Sequence, residues 1–213
     1  MSVMRQFDLA PFDRIDISRG LEVQIGSGIA QSVRAEAADE EGLERLEVEV
    51  VGRTLRVTRQ VGLFGLPFLG HNRILVSVTA PQIEAVAASA GCDVHFVGSP
   101  APGLELDVSA GSKLTAEAID VERLVASVSS GSKLALAGAA MIGELRSSSG
   151  SSLEADDLEV LHLLLDSASG SRISAVARDA ARVDASSGSS VRLAGHPPRL
   201  DRHASSGASI HLA

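Results

Sequence analysis

The chain is poor in aromatic side chains and in cysteine, and both shortages limit the folds and sites it can form. Its 213 residues include five Phe but neither Trp nor Tyr, so Val, Leu, Ile and Ala must fill the interior. Such side chains suit a narrow, layered core better than a bulky globular one. Cys92 is the single cysteine, which excludes an internal disulfide and any multi-cysteine zinc site.

Basic segments and long apolar runs are lacking as well. The formal net charge is −8 and no segment concentrates Lys and Arg, which argues against a nucleic-acid partner or a polybasic lipid-binding surface. No run of about 18 apolar residues occurs, so we expect no transmembrane segment. Residues 1–11 lack the apolar stretch of a secretory signal. A cytoplasmic protein and a mature or trimmed exported form both fit this start.

A Gly flanked by small residues recurs seven times from the middle of the chain to its end, and we call each copy a knuckle. Successive knuckles are 18 to 20 residues apart, a period that predicts a solenoid in which each repeat packs only on its neighbours. The knuckle glycines are Gly91, Gly111, Gly131, Gly150, Gly170, Gly188 and Gly207.

Aliphatic residues keep fixed places around each knuckle. After Gly111, for example, Leu114 and Ala116 stand three and five residues on, and Leu106 stands five residues before. This alternation indicates at least two short strands per repeat, each with one face turned inward. If strands of successive coils pair at the usual spacing of about 4.8 Å, the coils stack into a rod. The pattern therefore predicts an all-β, right-handed parallel β-helix of seven repeats over residues 82–213.

The residue after the knuckle glycine is small in every repeat. It is Ser in five repeats, Cys92 in the first and Ala208 in the last. Because a buried hydroxyl needs a hydrogen-bond partner, we expect these serines to bond to the backbone and to serines of adjacent coils. Cys92 is then a small residue in a small slot.

Residues 1–81 carry no repeat of this kind. We expect them to form a β-rich head or cap that is continuous with the solenoid in one structural unit. Alternation marks strands on both sides of Arg19-Gly20, a helical turn is expected at 39–45, and Gly52-Arg53 joins a hairpin. We expect no knuckle in this region.

An apolar loop spans residues 61–70 and includes Phe64, Leu66 and Phe68. Such a loop is either a plug over the open N-terminal end of the core or a contact surface for a partner. Both alternatives stay open.

Asp166 and Asp184 each stand four residues before a knuckle glycine, which predicts that they are neighbours on adjacent coils. Arg146 and His203 occupy the same column on either side. Paired carboxylates can perform acid–base chemistry in enzymes that act on polysaccharides, and a solvated charge ladder is the alternative. The histidines are too scattered for a metal site, and we expect no catalytic residue, cofactor or metal.

The last repeat ends within a strand that contains Ile210 and Leu212. An unpaired strand edge can pair with another molecule, which would give a homodimer or a longer stack. A short frayed strand is the alternative.

Several of these segments together resemble the head GIN domain of autotransporter adhesins, a bacterial family. They are the strand at 12–17, the Val78-Thr79-Ala80-Pro81 step and the Ser-Gly-Ser knuckles. The motif that names the family is present only as Gly20-Leu21-Glu22. The resemblance covers the chain from Phe12 to about Gly195.

That resemblance implies an extracytoplasmic, non-enzymatic β-helical domain that binds a protein or glycan ligand in adhesion at the cell envelope. It brings no catalytic residues. Two alternatives come from the residues themselves. One is a self-assembling scaffold that uses the C-terminal edge, and the other is a polysaccharide-active enzyme.

Overall fold

The computed structural model describes residues 2–60, 73–98 and 100–213, and these form an all-β chain with one short helix. The strands wind into a parallel β-solenoid of about 6 turns with roughly 20 residues per turn, which confirms the predicted fold class. The elements in chain order are β1 (Val3–Phe7), β2 (Arg14–Ser18), β3 (Glu22–Ser27), β4 (Ser32–Ala37), α1 (Glu40–Glu44), β5 (Leu46–Val51), β6 (Thr54–Arg59), β7 (Leu75–Ala80), β8 (Ala85–Ser89), β9 (Asp93–Val97), β10 (Pro100–Val108), β11 (Lys113–Val128), β12 (Lys133–Ser147), β13 (Ser152–Ser167), β14 (Arg172–Ala185), β15 (Ser190–Ala194), β16 (Arg199–Ala204) and β17 (Ser209–Leu212).

The predicted columns stack in register through the body of the solenoid. Leu114 pairs with Leu134, and the same ladder continues coil by coil to Ile210. Five of its members are at most 1% exposed, namely Leu114, Leu134, Leu153, Ile173 and Val191. Repetition of one inward column thus produces a continuous aliphatic core without aromatic side chains in this column.

Each knuckle is a tight turn between two strands of one coil. At the third knuckle Ser130 and Gly131 both have positive φ, 55° and 71°, as the two central residues of a type I′ turn do. The Ser132 amide donates to the Ser129 carbonyl at 3.2 Å and closes the turn, while the Gly131 amide donates to Ser149 of the next coil at 3.1 Å. Glycine adopts this conformation without a steric cost, which explains its recurrence.

The serines after the knuckle glycines are buried, and their hydroxyls bond to the backbone of an adjacent coil as expected, whereas the contacts between serine hydroxyls lie within one coil. The Ser171 hydroxyl lies 2.8 Å from the Ser147 carbonyl of the preceding coil and 3.0 Å from the Ser167 hydroxyl. Cys92 occupies the same column, is buried, and has its Sγ 3.1 Å from the Ser89 carbonyl. Burial raises the pKa of this thiol above its usual value.

The N-terminal region contributes a coil of its own, although its turn at Gly20 lacks the small flanking residues that define a knuckle. Strand β2 lies between β6 and β8, and β3 lies between β7 and β9, all in parallel. Arg19 and Gly20 at their junction both have φ of 69°, and the Gly20 amide donates to Ala90 at 3.0 Å. The same bond joins successive knuckles. The division of the chain at residue 81 stays a prediction.

Antiparallel strands extend the sheet at the N-terminal end of the solenoid. Strand β5 pairs with β6 in the predicted hairpin, β4 pairs with β7, and β1 pairs with β4. Helix α1 begins after Asp39, whose side chain accepts a hydrogen bond from the Gly42 amide, and it buries Leu43 in the core. Phe64, Leu66 and Phe68 lie outside the described residues, so the plug and contact alternatives for their loop stay predictions.

Candidate binding face

Outward-facing residues of β12, β13, β14 and β16 form a regular grid, because alternation exposes the residues eight, six and four positions before each knuckle glycine. Parallel pairing aligns these positions across the four strands. We call the grid the outer face. Its three columns are Ile142, His162, Ala180 and Arg199; Glu144, Leu164, Arg182 and Asp201; and Arg146, Asp166, Asp184 and His203.

An apolar depression of about 570 Å³ lies within the outer face. Ile142 and Leu164 line it and expose 38% and 45% of their surfaces, although their grid neighbours are mostly charged. Ala180 and Ala181 line it too, and their short side chains stand where the preceding coil has His162 and Leu163. The change from large to small side chains between adjacent coils explains the hollow.

The apolar surface continues past the edge of the grid. Met141 and Leu161 directly precede Ile142 and His162, which are paired across β12 and β13, and both are exposed. Met141 and Leu161 thus add two exposed apolar side chains directly beside lining residues of the depression along the chain.

The Asp179 carboxylate forms hydrogen bonds with two polar side chains at the rim of the depression. His162 Nε2 lies 2.8 Å from Asp179 Oδ2, and the Arg199 guanidinium donates to the same oxygen. The hydrogen bond with His162 is the main reason that the pKa of Asp179 lies below its usual value, and the hydrogen bond from Arg199 lowers this pKa further. This small network orients Arg199 along the rim.

The structure places Asp166 and Asp184 directly opposite each other on adjacent coils, in the register that the sequence predicts. Each carboxylate also faces an arginine. Arg182 Nε lies 3.1 Å from Asp184 Oδ2, and Arg146 Nε lies 3.9 Å from Asp166 Oδ2. The hydrogen bond and charge of Asp184 raise the pKa of Arg182. Carboxylates that each face an arginine suit a solvated charge ladder, and catalytic use of the pair stays a prediction.

The two residues predicted at the C-terminal edge lie in β17, which pairs with β15. Ile210 is half-buried against the core and Leu212 is half exposed. They lie on the strand after the knuckle, and the outer face lies on the strands before it. The structure therefore does not unite them with Asp166 and Asp184 in one site.

Sequence reasoning missed the apolar depression, although a signal was present. Ile142 and Leu164 stand at outward positions of the alternation, where the adjacent members of their columns are His162, Glu144 and Arg182. The predictions for the outward columns rested on their charged residues, so these two apolar members were not recognised as part of a site.

The described residues offer neither a cluster of metal ligands nor a membrane-spanning helix. They contain no group of three or more His, Cys, Asp or Glu side chains placed to hold a metal ion. No helix in this part of the chain is long and apolar enough to cross a membrane.

Comparison with known proteins gives the family. Residues 11–197 match the family described as putative auto-transporter adhesin, head GIN domain. The chain belongs to this family. The match confirms the resemblance seen in the sequence, and it includes the coil around Gly20 as well as most of the knuckles. Comparison with curated proteins finds no match for this head GIN domain.

Solved structures share the fold of this head GIN domain along its whole length. A putative adhesin from Bacteroides fragilis has a TM-score of 0.89 at 14% identity, covering 100% of this chain and 97% of that one. A putative lipid binding protein from Parabacteroides distasonis has a TM-score of 0.76 at 15% identity, covering 100% and 96%. A putative adhesin from Parabacteroides merdae has a TM-score of 0.72 at 11% identity, with the same coverage.

Proposed function

We propose that this chain is a non-enzymatic, adhesion-like binding module of the bacterial cell envelope, and that it contacts its ligand through the apolar depression of the outer face. Family membership and the adhesin relatives support the adhesion-like role. The observation that carries the choice of surface is the exposure of Ile142 and Leu164 among charged neighbours.

The fold itself does not require these two exposed side chains. The inward columns already form a continuous core, and Leu163 and Leu165 fill it on the same strand as Leu164. A contiguous exposed apolar surface with a polar rim is typical of an interaction site. Leu164 is 45% exposed, so burying the rest of its surface in a complex would contribute about 1 kcal/mol, roughly half the value for a fully exposed leucine.

The arrangement of groups favours a protein or a glycan as the ligand. Aliphatic side chains in the centre supply contact area, and a charged rim excludes water around them. The rim includes Arg199, Asp201 and Arg182, whose guanidinium and carboxylate groups can bond to peptide groups or sugar hydroxyls. The location at the cell envelope comes from the family resemblance.

A double variant, Ile142→Ser with Leu164→Ser, tests the surface. The matched control is Val97→Ser, since Val97 is also an exposed aliphatic residue but lies on β9, away from the depression. Both proteins are applied to a glycan array, to immobilised envelope proteins and to phospholipid vesicles. The vesicles are included because one structural relative is described as a lipid binding protein.

Wild-type protein and the control are expected to bind the glycan or protein surface. The double variant is expected to bind at least about tenfold more weakly, equivalent to 1.4 kcal/mol. An unchanged melting temperature would show that the fold is intact. Equal binding by the double variant and wild type would contradict the choice of surface. Binding to vesicles alone would contradict the choice of ligand.

A further inference from the structure

The inward column of the strand before the knuckle is aliphatic in five successive coils and then changes to arginine. Its buried members, each at most 2% exposed, are Leu106, Ala126, Leu145, Leu165 and Val183. In β16 the register partner of Val183 is Arg202, and Arg202 is exposed. A cation therefore stands in the core column of the coil that β16 and β17 form.

The ladders of the described strands cover only one edge of this coil. Among the described strands, β16 forms its ladder with β14, and β17 forms its ladder with β15. Part of this end is apolar, because Leu200 and Ile210 pack only partly against the core and Leu212 is half exposed. These aliphatic side chains would favour the stacking of another coil.

Arg202 opposes that stacking. A coil placed on β16 would cover the column and remove the guanidinium from water, which is strongly unfavourable unless an acidic partner accompanies it. The column offers no such partner, since its other members in β10 to β14 are aliphatic. Natural sheets protect exposed edges with inward-pointing charges and with short edge strands, and β17 is only 4 residues long.

We propose that Arg202 is a stop residue that prevents a second copy of this chain from stacking on the β16–β17 end. This inference does not depend on the binding role of the outer face. It opposes the alternative in which the C-terminal edge builds a dimer or scaffold. The stop acts through charge in an apolar column, so a change that removes the charge should release the association.

Light scattering from low micromolar to the highest soluble concentration tests the inference with four proteins. Wild type and Arg202→Lys, which keeps the charge, are expected to remain monomers. Arg202→Val restores the residue type of the preceding coil and is expected to form dimers or larger species. The double variant Arg202→Val with Ile210→Pro should return to the monomer, because proline removes a backbone donor from β17.

Precipitation of Arg202→Val that the proline change prevents would also support the inference, since it traces the association to this edge. Two results would overturn it. One is an Arg202→Val protein that stays monomeric throughout. The other is a wild-type protein that already associates and is separated into monomers by Ile210→Pro alone.

Discussion

Gly138 approaches the Ile119 carbonyl of the neighbouring coil so closely that a Cβ at position 138 would lie 2.1 Å from that oxygen. Gly138 also has a φ of 133°, which L side chains rarely adopt. At this corner the two coils are in contact through their backbones. The knuckle glycines differ, because a Cβ on Gly131 would meet nothing within 4 Å.

Alanine substitutions should separate these two kinds of glycine. Gly131→Ala places a side chain on a residue with positive φ and should lower the free energy of unfolding by about 1–2 kcal/mol. Gly138→Ala adds a backbone clash and should cost more than about 3 kcal/mol. Chemical denaturation measures both, and equal losses would contradict the close approach at the corner.

The buried serine ladder predicts a second pair of substitutions. Ser171→Ala removes a hydroxyl that bonds to the Ser147 carbonyl and should cost about 1–2 kcal/mol of unfolding free energy. Ser152→Ala, at an outward position of the adjacent coil, should change it by less than about 0.5 kcal/mol. Thermal or urea unfolding gives both values, and an Ser171→Ala protein as stable as wild type would refute the ladder's contribution.

The Cys92 thiol should react slowly in the folded protein. Burial raises its pKa, so less thiolate is present at a given pH, and the surrounding core blocks reagents. We expect an aromatic disulfide reagent at mildly alkaline pH to label the unfolded chain at once and the native chain only at the rate of opening. Immediate labelling of native protein would contradict this placement.

Asp179 should stabilise the fold only above acid pH. Hydrogen bonds from His162 and Arg199 lower its pKa, so the carboxylate contributes stability above the ordinary value of 3.8. That contribution disappears as pH falls through the lowered pKa of the folded state. The melting temperature of Asp179→Asn should therefore lie below that of wild type at neutral pH, and the two should converge in strong acid. A constant difference across this range would exclude the linkage.

The acidic pair gives a test of the enzyme alternative. We expect wild-type protein to release no reducing ends from a panel of acidic and neutral polysaccharides, because Asp166 and Asp184 each face an arginine in an exposed ladder. The double variant Asp166→Asn with Asp184→Asn is the control for any signal. Turnover by wild type that this variant lacks would restore the polysaccharide-active alternative.

Repetition explains why so much of the fold could be predicted from the sequence. The columns that contain Leu114 and Ser171 each have seven members, one per repeat, and every member supports the same inward assignment. The coil around Gly20 was missed because Arg19 precedes the glycine instead of a small residue. In addition, its spatial neighbours β6 and β8 are distant in sequence from β2.

The outer face was only partly predictable. The register of Asp166 with Asp184 followed from their common distance to the knuckle glycines. The depression depends on Ala180 and Ala181 standing beside the larger side chains of His162 and Leu163 in the preceding coil, and also on a register that shifts between β13 and β14. Such shifts change side-chain neighbours across coils without changing the repeat.

Hydroxyl-radical footprinting of the bound and free protein, read at two methionines, tests the binding surface most directly. Met141 adjoins the depression and is 56% exposed, while Met4 is 64% exposed on β1 at the opposite end of the solenoid. With the glycan or envelope protein that the binding assay identifies, we expect the oxidation of Met141 to fall several-fold and that of Met4 to stay unchanged. Unchanged oxidation of Met141 on a fully bound protein, or protection of Met4 alone, would contradict binding at the outer face.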